Sequence, residues 1–182
     1  MSQGGPASLV HAVAELRRAF DRSFAEPPRG EVVPAEAFLA IRAGGDAWAL
    51  RLGEIAGLFK DRRVIPLPSP LPGLLGIAGF RGTVMPVYDL RFLLGHGQAE
   101  ESPQWLVLAS AAERVALGFD AFEGLISAGP EDVAPASRHA ARANVNQALR
   151  AGGIVRPIVD IPSLVEAVKS RARDGPARSA DR

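Results

Sequence analysis

The chain has 182 residues, 47% of them apolar and 23% charged, a net charge of +1 and no cysteine. That is an ordinary globular composition, long enough for one large domain or two small ones. Near-neutral charge gives no general field for nucleic acid, and the missing cysteine excludes a disulfide framework, a thiol nucleophile and any cysteine-ligated zinc site.

The first expected element is a helix over residues 7–24, ASLVHAVAELRRAFDRSF. Leu9, Val10, Val13, Leu16, Phe20 and Phe24 share one face at near-3.6 spacing, with Arg17, Arg18 and Arg22 elsewhere. A flexible start (1–6) and a Pro-rich connector (25–35) make residues 1–35 an N-terminal extension. From Glu36 short apolar stretches alternate with Gly/Pro punctuation, the pattern of a β barrel or sandwich. Strands are expected at 37–43 and 47–52 around Gly44-Gly45-Asp46, and at 54–60. The four prolines of 63–72 forbid a helix or a central strand, and 72–75 reads as a single helical turn. Strands at 76–80 and 83–90 flank Arg81-Gly82, and a short turn at 91–95 precedes a polar break at 96–104. Further strands follow at 105–110, 114–119 and 121–129, then a helix start at 130–135 and a polar, partly helical loop at 137–149. A final strand at 152–161 and a C-terminal helix at 162–173 close a body of residues 36–173, ahead of a disordered tail at 174–182.

The residues offer little chemistry. No G-x-S-x-G elbow is present, and His11, His96 and His139 lack metal-ligand spacing, so His96 reads as a solvated loop residue. Gly73, Gly76, Gly79 and Gly82 recur every three residues but match neither G-x-G-x-x-G nor a P-loop; tight turns and close backbone approach explain them better. Asp89, Asp120 and Asp160 each end an apolar strand, where aspartate caps the next turn, and Trp48 and Trp105 read as packing residues. Arg81 between two glycines is either a solvated turn charge or the tip of a binding surface. No apolar run approaches the roughly 18 residues of a membrane helix, and MSQGGPASLVHAVAEL lacks the pattern of a signal peptide. The expectation is a cytoplasmic, non-catalytic binding protein without cofactor, metal, nucleic acid or direct membrane insertion.

The order of features is more specific than any one of them. WALRLGEIAGL leads to VIPLPSPLPGLLGIAGFRGTVMPVYDLRFLLG, then RVALGFDAFEGLIS, then GGIVRPIVDIPSLVEAV. This order resembles the CheW adaptor family of bacterial chemotaxis and related sensory pathways over roughly residues 36–170, most specifically in P-L-P, Gly76, Arg81-Gly82 and P-V-Y-D-L-R. The resemblance implies a mainly β fold of two intertwined SH3-like five-stranded β barrels with a core between them, here with an extra N-terminal helix and a C-terminal helix. It implies a non-enzymatic scaffold that couples the cytoplasmic helices of chemoreceptors, or a receptor-like protein, to the regulatory domain of a CheA-type histidine kinase, with end-to-end homo-association. Arg81 matches the family's arginine near the receptor-contact surface, and Gly76 and Gly82 match glycines on the same segment. Ile55 matches the apolar residue of the V-x-E-I element, and Gly57 stands where that element supplies its glutamate. Gly79-Phe80 replaces Asn-Leu and Trp48 replaces a tyrosine, marks of a divergent member. The alternative is an assembly protein that self-associates through the barrel and docks a non-receptor partner.

Overall fold

The computed structural model describes residues 35–97, 101–110, 114–136 and 144–173. The helix expected over 7–24, the connector ahead of Ala35, most of the loop 137–149 and the tail 174–182 lie outside them, and all described elements belong to the unit Ala35–Arg182. Strands dominate, as composition and punctuation predict. One sheet has six: β1 (Glu36–Ala43), β2 (Asp46–Arg51), β8 (Ala121–Ala128), β9 (Val133–Pro135), β10 (Val145–Ala151) and β11 (Ile154–Val159), in the order β8-β1-β2-β11-β10-β9. The other has five: β3 (Ile55–Lys60), β4 (Leu74–Phe80), β5 (Thr83–Asp89), β6 (Trp105–Ala109) and β7 (Ala116–Phe119), in the order β3-β6-β7-β5-β4. Among the described strands only the β2–β11 and β5–β7 pairs are parallel. The six-stranded sheet takes the beginning and the end of this unit and the five-stranded sheet takes its middle, so the two are interleaved along the chain.

Period-2 alternation gives most central strands two apolar faces. On the six-stranded sheet Phe38, Ala49, Ala128, Leu149 and Ile158 gather into one small core. On the five-stranded sheet Ala78, Phe80, Met85, Val87, Leu106, Leu108 and Ala116 form a second. Each sheet curls around its own core. β8 and β10 touch although four places apart in the order, and Phe59 of β3 meets Phe80 of β4, the opposite edge, with ring centroids 5.0 Å apart. The reverse faces make a third core between the sheets from Leu39, Ile41, Trp48, Leu50, Tyr88, Val107, Leu117 and Phe119. Burying each large apolar side chain is worth about 1.5–3 kcal/mol.

Helix α2 (Ile161–Arg173) seals this third core with Ile161, Leu164, Val165 and Val168, spaced for one helical face. Asp160 starts it as expected, its Oδ1 accepting the Ser163 N–H at 2.9 Å. Asp89 caps the four-residue helix α1 (Leu90–Leu93) by accepting the Arg91 N–H. The same carboxylate holds the Arg91 side chain bidentately, Nε to Oδ1 and Nη2 to Oδ2, each at 2.9 Å. Arg91 Nη1 donates to Asp120 and Nη2 to the Glu101 carbonyl, also at 2.9 Å. Arg91 is 6% exposed. Burial alone lowers its pKa, but the hydrogen bonds and charges of Asp89 and Asp120 outweigh that and raise it. Asp120 also accepts the Gly44 N–H at 2.8 Å, so its role is structural although it caps no helix.

Several expectations need correction. The stretch 72–75 is not a helical turn: Leu74 already opens β4, because Gly73 at φ +80° turns the chain into the sheet. The loop 137–149 gives way to strand from Val145, where β10 pairs with both β9 and β11 across polar outward residues. The final strand is therefore half of a hairpin, turned by Gly152-Gly153 at φ +58° and +74°. The helix start at 130–135 is one 3-10 turn, Pro130–Asp132, followed by β9. The first sheet holds six strands rather than five because of β9. His96 is not simply solvated: it is half-buried edge-on to Trp48, with Nε2 3.6 Å from Asp46. Trp48 is buried and its indole N–H donates to the Ala43 carbonyl.

The segment 63–72 makes no strand, but Ile65 exchanges two backbone hydrogen bonds with Ile77 at 2.8 and 2.9 Å. That crossing needs Gly76. Its φ is +144°, and a Cβ there would lie 2.0 Å from the Ile65 carbonyl oxygen. Gly76→Ala is expected to destabilise the fold by about 2–4 kcal/mol in urea unfolding, from combined clash and backbone strain. Arg91→Met leaves Asp89 buried without a counter-charge and should remove about 3–5 kcal/mol by the same measurement.

Candidate partner-binding groove

The β4–β5 hairpin ends in the two-residue turn Arg81-Gly82, between paired Phe80 and Thr83. Both turn residues have positive φ, +47° and +83°, the signature of a type I′ turn. Glycine and asparagine take the first position readily. An L-residue with a long side chain is strained there by about 1–2 kcal/mol. Arg81 is exposed, and among the described residues its guanidinium has no hydrogen-bond or acidic partner. Strain kept for an unengaged cation points to use of that cation.

Arg81 overhangs a groove of about 410 Å³ at the open end of the five-stranded barrel. Its floor is Phe59, Phe80, Met85 and Leu108, the last three being members of that barrel's core, and Arg114 stands on its wall. The strand order explains the convergence: β3 and β4 are the two edges of the sheet and meet here as it curls. The other barrel ends differently. Arg42 and Arg156 continue the inner face of β1 and β11 beyond Phe38 and Ile158, and Glu123 bridges them, at 2.7 Å to Arg42 Nε and 2.9 Å to Arg156 Nη2. The hydrogen bond from Arg156 and then the bond and charge of Arg42 lower the Glu123 pKa.

The sequence-derived site residues separate here. Arg81 and Gly82 form the tip. Gly57 lies behind the groove floor at a bulge in β3, where a Cβ would come within 2.9 Å of the Phe59 ring. Gly76 lies under the Ile65 crossing and does not line the groove. Ile55 packs on the core between the sheets, while its neighbour Ala56 lines the groove. Glu54 directly precedes Ile55, at the end of the 3-10 turn Leu52–Glu54. Its Oε2 accepts the Ile161 N–H at 3.0 Å and anchors α2. Burial raises the Glu54 pKa, against the lowering by that bond and by Arg51. Sequence reasoning missed Phe59, Met85, Leu108 and Arg114. The first three look like ordinary strand residues, and Arg114 carries no pattern beyond a charge between two apolar runs.

Among the described residues no group of three or more His, Cys, Asp or Glu is arranged to hold a metal ion, and no helix is long and apolar enough to cross a membrane. The profile of the CheW-like domain family matches residues 37–169. No curated protein matches the chain. Among solved structures, the scaffolding protein TtCheW from Thermoanaerobacter tengcongensis superposes with a TM-score of 0.63 at 18% identity, over 72% of this chain and 93% of that one. At that identity the likeness is one of fold.

The turn geometry predicts a trade-off. Arg81→Asn relieves the type I′ strain and should raise unfolding stability by about 1 kcal/mol, while partner binding weakens. Chemical denaturation and a binding titration of the same variant check both halves.

Proposed function

The chain belongs to the CheW-like domain family, and from that membership we propose that it is a non-enzymatic adaptor that couples receptors to a CheA-type histidine kinase in chemotaxis or a related pathway. The family match over most of the chain carries the reading. Supporting it is the open barrel end, where Arg81 is held in a strained conformation over an apolar floor and has no internal partner among the described residues. An exposed guanidinium with five donors beside apolar side chains suits protein contact. In this reading Arg81 and Gly82 meet the partner directly, while Gly57, Gly76 and Ile55 shape the barrel that presents them. The partners are the regulatory domain of the kinase and the cytoplasmic helices of a receptor or receptor-like protein, and the adaptor works in the cytoplasm. Val84, Leu125 and Val155, all more than half exposed on strand faces, offer further apolar contact for lateral association with copies of the chain.

The test is a titration of the full chain with the regulatory domain of a CheA-type kinase from the same genome. Binding at tens of micromolar or tighter is expected, weakened severalfold by Arg81→Asp, which the type I′ turn accepts and whose thermal midpoint is therefore not lowered. No binding by folded protein overturns the kinase half of the proposal.

A further inference from the structure

The two barrel ends use arginine in opposite ways. At the six-stranded barrel, Glu123 lies between Arg42 and Arg156, so both carboxylate oxygens are taken up within the molecule. At the five-stranded barrel, Arg81 and Arg114 flank Phe59, Phe80, Met85 and Leu108, and among the described residues lining the groove there is no carboxylate. Both cations are exposed and neither has an internal partner among the described residues. Two charges that no described residue matches, beside a low-dielectric floor, concentrate positive potential there. An apolar group seated on that floor would exclude water and strengthen any ion pair at its edge. The volume, about 410 Å³, falls in the lower part of the range for ligand-holding clefts, roughly 300–1,000 Å³.

We propose that this groove takes an acidic–apolar segment of a partner protein, with an aromatic or aliphatic side chain on the floor and flanking carboxylates paired to Arg81 and Arg114. The assignment rests on the reading of Arg81 as a contact residue and adds Arg114 as the second half of the clamp. A basic segment is rejected by the same two charges.

The chain reports on its own groove. It has two methionines, Met1 and Met85, and Met85 lies on the floor. Full-length protein labelled with ¹³C-methyl methionine is titrated with blocked hexapeptides EEFLEE, QQFLQQ and KKFLKK. EEFLEE should shift the Met85 methyl signal saturably and leave the Met1 signal in place. QQFLQQ should bind about twenty-five-fold more weakly, the product of the two pairs, and KKFLKK not at all. Arg81→Gln and Arg114→Gln should each weaken EEFLEE about fivefold, the upper range for exposed ion pairs, and leave QQFLQQ unchanged; thermal midpoints establish that both variants are folded. Equal affinity for EEFLEE and QQFLQQ, or a Met85 signal that no peptide moves, overturns the proposal. A kinase regulatory domain that binds without moving the Met85 methyl overturns the groove assignment and leaves the adaptor reading standing. A Met85 shift with EEFLEE in a chain that binds no kinase domain supports the groove and overturns the adaptor reading.

Discussion

The buried guanidinium of Arg91 holds separate stretches of chain at once, and the alignment of the two sheets depends on it. Asp89 at the end of β5 grips it with both oxygens, Asp120 between β7 and β8 takes a third hydrogen bond, and the Glu101 carbonyl takes a fourth. Through Asp120 the network reaches the Gly44 amide in the β1–β2 turn. β5 and β7 belong to one sheet, β1, β2 and β8 to the other, so the cluster spans the seam. A charge this deep is tolerated only with every partner in place. Its contribution is therefore to make other relative placements of the sheets unfavourable, more than to add net stability. The apolar core between the sheets supplies attraction without direction, and Arg91 supplies the direction.

From that seam the same strand pattern leads to two different barrel ends. On the six-stranded side the inner face finishes in a closed ion cluster. On the five-stranded side it finishes in aromatic and aliphatic side chains under two arginines that have no partner among the described residues. The glycines divide the work accordingly. Gly76 and Gly57 let backbone and ring approach the sheet closely, while Gly82 shares a turn whose geometry Arg81 fits poorly. Position in the fold, not residue type, separates the glycines beneath the sheet from the one in the hairpin turn.

Much of this was legible in the residues. Short apolar runs with Gly/Pro breaks located nine of the eleven described strands, because burial on two faces leaves an almost continuous apolar signal in the central ones. β9 and β10 escaped: three residues are too few to show a period, and VNQALRA carries polar residues where it meets solvent. The capping roles of Asp89 and Asp160 follow from local chemistry and were readable. The Arg91 network was not, since Asp120 lies far away in sequence. The groove was readable at its tip alone. Arg81 stood out between two glycines, but Phe59, Leu108 and Arg114 join it only when the two edges of a sheet meet, and no local pattern encodes that meeting. The close backbone approach expected at Gly76 was legible, but not that the Ile65 carbonyl makes it.

The interleaving of the sheets also bears on how the protein is made. β2 finds its second neighbour in β11, where Ala49 lies opposite Ile158, more than a hundred residues later. A chain emerging from the ribosome therefore carries the β1–β2 hairpin, apolar on both faces, long before β11 or α2 exists to cover it. Contacts this distant close slowly, and an uncovered hairpin of this kind is open to mispairing in the interval. The middle sheet is complete by Phe119, well before β11, and it covers the inter-sheet face of that hairpin in the folded chain. The five-stranded sheet is thus the first partner that synthesis makes available to the face of β1 and β2 that carries Leu39, Ile41, Trp48 and Leu50.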